Sequence, residues 1–142
     1  MFGLFSSKKT EESMQLVQQA LDPHVVAIVS ASCCMSGVGA LDEQLKSVAA
    51  QALKEAHLDW PVLFVTVTEA QGALGKLSGK LSDAAAATAA QVSELFVSSG
   101  LGAFPVLIVN QRVVSYGGVP DLALVLKNLP TAPKAVAHED AA

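Results

Sequence analysis

Cys33 and Cys34 stand side by side, and they are the two cysteines of this 142-residue chain. Neighbouring α-carbons across a trans peptide are about 3.8 Å apart, closer than the ~4.4–6.8 Å that an ordinary disulfide spans. The two thiols therefore resist pairing with each other. They stay available to a soft, thiophilic ion, or one of them can form a mixed disulfide with an outside thiol. Ser32, Ser36 and Gly37 make the surroundings polar and open, unlike the apolar setting of an inert structural cysteine. Met35 adds a third soft sulfur that would suit Cu(I), although a methionine at the start of a helix more often fills packing gaps. Cys33-Cys34-Met35-Ser36 also reads as Cys-x-x-Ser, in which Cys33 alone could act as nucleophile. His24, His57 and His138 have no ligand spacing to the pair.

The cysteines follow an apolar run, Val25 to Ala31, that is β-branched at four positions and reads as a strand covered on both faces. After them, Leu41, Leu45, Val48, Ala49, Ala52, Leu53 and Ala56 recur at helical spacing, with Asp42, Glu43, Lys46 and Lys54 off that face. Thiols just ahead of a helix N-terminus meet free backbone N–H groups and the positive end of the dipole, which favour thiolate.

The rest of the chain supplies a scaffold. Residues 1–24 hold an amphipathic helix capped by Thr10 and ended by Asp22-Pro23, residues 25–129 the main domain, and residues 130–142 a short tail. Pro61 to Val67 reads as a second strand, and Glu69 to Gly79 as a loop or a broken helix. A helix starts at Ser82-Asp83 and stops at Gly100. Pro105 to Val109 and Arg112 to Tyr116 form a hairpin turned by Asn110-Gln111, and Pro120, at the first helical position, opens a final helix through Leu129. A helix followed by β-α-β-α-β-β-α predicts an α/β fold of the thioredoxin/glutaredoxin-like type, with a mixed four-stranded sheet and helices on both faces. Phe104-Pro105 opens the third strand, where proline is tolerated for structural reasons alone. In a thioredoxin fold a cis-proline at this place lies against the active-site thiols, so Phe104 and Pro105 join Met35 and Ser36 as supporting residues.

Composition narrows the function classes. Hydrophobic residues make up 51% but aromatics only 5%, and much of the apolar content is alanine. No stretch approaches the ~18 apolar residues of a membrane span. The apolar opening Met1-Phe2-Gly3-Leu4-Phe5 is too short, and lacks the preceding basic region, for a secretory signal. A soluble, cytoplasmic protein with reduced thiols is expected. A net charge of -4 with no basic cluster beyond Lys8-Lys9 leaves no footprint for nucleic acid. Gly75 to Lys80 lacks the first glycine and the terminal Ser or Thr of a phosphate loop.

Cys33-Cys34-Met35-Ser36-Gly37-Val38, closing an apolar strand, resembles the metalloid site of the ArsD-type arsenical metallochaperones. The likeness extends in weaker form over Val25 to Leu129, including Phe104-Pro105 and Gly117-Gly118-Val119-Pro120. The resemblance implies a thioredoxin-like fold, capture of As(III) or Sb(III) through Cys33 and Cys34, and delivery to an efflux ATPase. The family's third cysteine, five positions after the second, falls on Gly39 here. The resemblance therefore implies a two-sulfur site, or one completed by a partner protein or by a homodimer. Three functions stand as expectations: a carrier of As(III), Sb(III) or Cu(I) without turnover, a monothiol glutaredoxin-like thiol-disulfide oxidoreductase using Cys33 as catalytic nucleophile, or, least favoured, a redox-inert adaptor that only binds a partner protein.

Overall fold

The β-branched run after His24 forms strand β1 (Val26–Ser30), and each of its residues is buried. Strand β2 (Val62–Thr66) lies parallel to it on one side. Strand β3 (Val106–Val109) pairs antiparallel on the other side, and β4 (Arg112–Tyr116) pairs antiparallel with β3 at the edge. The computed structural model describes residues 12–31, 39–74, 76–77 and 79–130, and it shows a mixed α/β architecture around one sheet of order β2-β1-β3-β4.

Among the described residues five α-helices cover this sheet: α1 (residues 12–20), α2 (Gly39–Glu55), α3 (Val67–Leu74), α4 (Asp83–Ser99) and α5 (Leu122–Lys127), with a 3-10 turn over Gly100–Ala103 after α4. Alternation along the strands divides the core. Ala27, Val29, Val106 and Ile108 face α1, α3 and α4, where they meet Val17, Ala70 and Val92. Val26, Ile28, Leu107 and Val109 face the other way, onto Leu45, Ala49 and Leu53 of α2 and Val125 of α5. Both central strands are thus enclosed, as their unbroken apolar sequence requires.

Local chemistry fixes the element ends. Ser82 caps α4, its hydroxyl accepting from Ala85 N–H at 3.2 Å, and Gly100 ends the helix at φ 64° with its N–H on the Phe96 carbonyl. At the end of α2, His57 takes φ 59°, its N–H bonds Lys54 O at 3.1 Å, and Leu58 N–H bonds Leu53 O at 2.9 Å. That pair of bonds is a Schellman motif, with histidine at the left-handed position where glycine is usual. Asn110 and Gln111 both take positive φ, 51° and 71°, which is the primed turn that a right-twisted hairpin favours.

Val25, Ala31, Pro61 and Pro105 fall just outside their strands and α5 ends at Lys127 and not Leu129, and the structure departs further from the sequence reading at four places. Val67 belongs to α3 and not to β2, because Thr66 and Glu69 form a reciprocal capping box that starts the helix as the strand stops. The ambiguous Glu69–Gly79 stretch is accordingly helical as far as Leu74, with turns beyond it. Pro120 precedes α5, whose N-cap residue is Asp121. Asp42 is buried, not on the outer face of its helix. Thr10 and the chain after Pro130 lie outside the described residues.

Candidate functional site

One end of the sheet gathers the features singled out in the sequence. Val29 pairs with Val106, so the next residue of β1, Ser30, comes level with Pro105, and in the parallel direction Ser30 is registered with Thr66. Gly117, just beyond β4, donates its N–H to the Pro105 carbonyl at 3.1 Å. The C-terminal ends of β1, β2 and β4 and the beginning of β3 therefore meet here. The starts of α2 and α3 belong to the same end, since each follows one of these strands. Cys33, Cys34, Met35 and Ser36 fall in residues 32–38, outside the described residues, between Ala31 and the first residue of α2.

Phe104 and Pro105 are both buried, and the peptide bond between them is cis. The Phe104 ring lies tilted against Phe96 of α4 at a centroid distance of 6.3 Å. Its N–H bonds Leu101 O at 3.1 Å, which carries the 3-10 turn into β3. Gly117 takes φ 79°, and a Cβ there would come 3.6 Å from the Gly102 carbonyl oxygen. The backbone beside Pro105 is thus packed from two sides.

The sequence reading missed a buried polar pair at this end. Ser30 projects to the same face as Val26 and Ile28, where its hydroxyl donates to Asp42 Oδ2 at 2.5 Å. Both residues are almost fully removed from water, at 0% and 3% exposure, and Asp42 Oδ1 is buried without a donor. A carboxylate oxygen kept dry with no partner is costly, which sets Asp42 apart from ordinary first-turn acids that complement the helix dipole from the surface. Asp42 lies one turn into α2 and Ser30 ends β1, so the pair ties together the two elements that bracket residues 32–38. The signal in the sequence was a serine ending an otherwise apolar strand and an aspartate beside Leu41, one turn before Leu45.

Thr66 and Glu69 form the second polar group at this end. Thr66 N–H and its hydroxyl both donate to Glu69 Oε1, at 3.0 and 3.2 Å, while Glu69 N–H donates to Thr66 Oγ1 at 3.1 Å. These bonds are spent on holding the β2–α3 junction.

Neither of the two described histidines enters this site. The His24 ring lies tilted against Trp60 at a centroid distance of 5.3 Å before the first strand, at the opposite end of the sheet, and His57 closes α2. His138 lies outside the described residues. Among the described residues no cluster of three or more His, Cys, Asp or Glu is arranged to hold a metal. None of the described helices is long and apolar enough to cross a membrane. Comparison with protein-family models, curated proteins and solved structures gives no match to this chain.

Proposed function

We propose that the chain is a thioredoxin-like carrier that takes up a thiophilic metal or metalloid ion through Cys33 and Cys34 and passes it to an acceptor protein. The observation that carries the reading is the course of the chain at one end of the sheet. β1 stops at Ser30, α2 is under way by Gly39, and the adjacent thiols belong to the short connection between them, at the end where Phe104–Pro105 begins β3. The strand order β2-β1-β3-β4, with β2 parallel to β1 and the β3–β4 hairpin antiparallel, supports the thioredoxin-like topology.

Adjacent thiolates that resist closing on each other form a chelate for a soft ion. The resemblance of Cys33-Cys34-Met35-Ser36-Gly37-Val38 to the ArsD-type site supports As(III) or Sb(III) as cargo and an efflux ATPase as acceptor, with Cu(I) the further soft candidate. Gly39 in place of a third cysteine leaves one coordination position for a sulfur from the acceptor or from a second copy of the chain.

Anaerobic titration of the reduced protein with As(III), Sb(III), Cu(I) and Zn(II), followed by native mass spectrometry, tests the reading. One As(III) or Sb(III) retained per chain or per dimer, with two thiols blocked per chain, is the expected result. Failure to retain any of the soft ions would remove the carrier.

The Cys-x-x-Ser spacing favours a second reading, a monothiol oxidoreductase. In that reaction the Cys33 thiolate attacks a glutathione mixed disulfide and takes over the substrate sulfur or the glutathione sulfur, while the other sulfur leaves as a thiolate. A second thiol then resolves the enzyme-bound disulfide.

A further inference from the structure

We propose that the apolar stretch Met1-Phe2-Gly3-Leu4-Phe5 docks, within its own chain, into the groove between α3 and α4. The groove measures about 320 Å³; Val67 and Ala70 of α3, Val92, Phe96 and Val97 of α4, and Phe104 form its apolar lining, with Gln71 and Ser93 as its polar members. Val97 is 79% exposed, a large aliphatic side chain left in water at the rim of a mainly apolar groove. An opening of this size, near the lower end of the roughly 300–1,000 Å³ range of small-ligand sites, suits two or three apolar side chains.

Helix α1 identifies the occupant. Val17 and Ala20 of α1, with Leu21 just after it, fill the adjoining part of the same seam, where they meet Ala70 and Val92, the two residues that also line the open groove. The direction of α1 follows from Gln111, whose side-chain nitrogen donates to the Leu21 carbonyl at 3.1 Å and to Ser82 Oγ at 3.4 Å. The end of α1 therefore sits at the start of α4, and the two helices run in opposite directions. Residue 12, the start of α1, therefore lies towards Phe96 and Val97, where the seam is open. Phe5 is seven residues before residue 12, and at about 3.3–3.6 Å per extended residue that linker reaches up to roughly 25 Å.

The sequence between is Ser6-Ser7-Lys8-Lys9-Thr10-Glu11, a polar link, whereas residues 1–5 are four apolar side chains and a glycine. Burying two phenylalanine rings offsets an ordering cost of similar size, so the proposed docking is a reversible contact and not part of the core. Because Phe104 lines the groove and is joined to Pro105, the docked stretch would flank the candidate site.

The test uses the full chain with a photo-cross-linking phenylalanine analogue at position 5, together with a variant lacking residues 2–5. Expected are an intramolecular cross-link to the α4 peptide that contains Phe96 and Val97, and its loss in Val97→Glu, an exposed position whose substitution leaves the fold intact. The shortened chain should bind a hydrophobic dye at least threefold more strongly, and a free peptide of residues 1–9 should reverse the increase. Cross-links confined to a dimeric species would mean that a second copy occupies the groove and would overturn the proposal. Cross-links elsewhere on the chain, or unchanged dye binding on shortening, would do the same.

Discussion

The Ser30 hydroxyl donates a 2.5 Å hydrogen bond to Asp42 Oδ2 in the covered space between the last residue of β1 and the first turn of α2. Removing either partner leaves the other buried without it, at a cost of about 1–3 kcal/mol for Asp42→Ala and more for Ser30→Ala, which isolates a carboxylate. Because the two groups share one bond, the double variant should cost less than the sum of the singles, by about 1–2 kcal/mol. Denaturant unfolding of the four proteins measures that coupling, and strict additivity would show that the pair contributes nothing as a pair.

Cys33→Ser and Cys34→Ser should each remove most of the affinity for As(III), since losing one of two thiolates destroys the chelate. Thermal unfolding without ligand should stay close to that of the parent. The oxidoreductase reading expects asymmetry instead: Cys33→Ser abolishes turnover of a glutathione mixed disulfide and Cys34→Ser spares it. Equal loss of binding with no turnover in the parent supports the carrier. Strong turnover that survives Cys34→Ser would defeat it.

Two left-handed positions should respond in opposite directions. His57 closes α2 at φ 59° with a side chain that the conformation disfavours, so His57→Gly should stabilise the protein by about 0.5–1 kcal/mol. Gly100 sits at φ 64° and ψ -151°, a region open essentially to glycine alone, with nothing within 4 Å of an added Cβ. Gly100→Ala should therefore destabilise by about 1–3 kcal/mol through the backbone and not through a clash. A shift of melting temperature in the same direction for both variants would contradict this account of the two helix ends.

Gln111 joins three elements through one residue. Its side-chain nitrogen reaches Leu21 O and Ser82 Oγ, and its carbonyl accepts from the Thr88 hydroxyl. Gln111→Ala keeps the strained φ of 71° and loses the side-chain bonds, whereas Gln111→Gly loses the bonds but relieves the strain. Alanine should cost about 1–2 kcal/mol and glycine less, as read by chemical denaturation. Hydrogen exchange should quicken in α1 in both variants, because the bond to Leu21 holds the end of that helix.

The strands, the capped start of α4 and the hairpin turn were legible because their causes are local. An unbroken β-branched run asks for a doubly covered strand, Ser82-Asp83 offers a cap, and Asn110-Gln111 is short and polar between two apolar runs. The junction at Thr66–Glu69 was legible in principle as a capping box, but the apolar continuity of Val65 and Val67 concealed it.

The sequence by itself determined the kind and adjacency of the two thiols, the impediment to their pairing, and the order of the four strands and of the helices other than α3, since covalent geometry and local propensity decide these. Tertiary structure alone decided that Asp42 is an interior group. Helical periodicity ranks faces against the apolar stripe of the same helix, and cannot show that a serine twelve residues earlier will stand opposite. The link from Gln111 to Leu21 joins residues 90 apart, and the level alignment of Ser30 with Pro105 depends on strand register. Both depend on which surfaces meet when the sheet closes, and no local pattern encodes that.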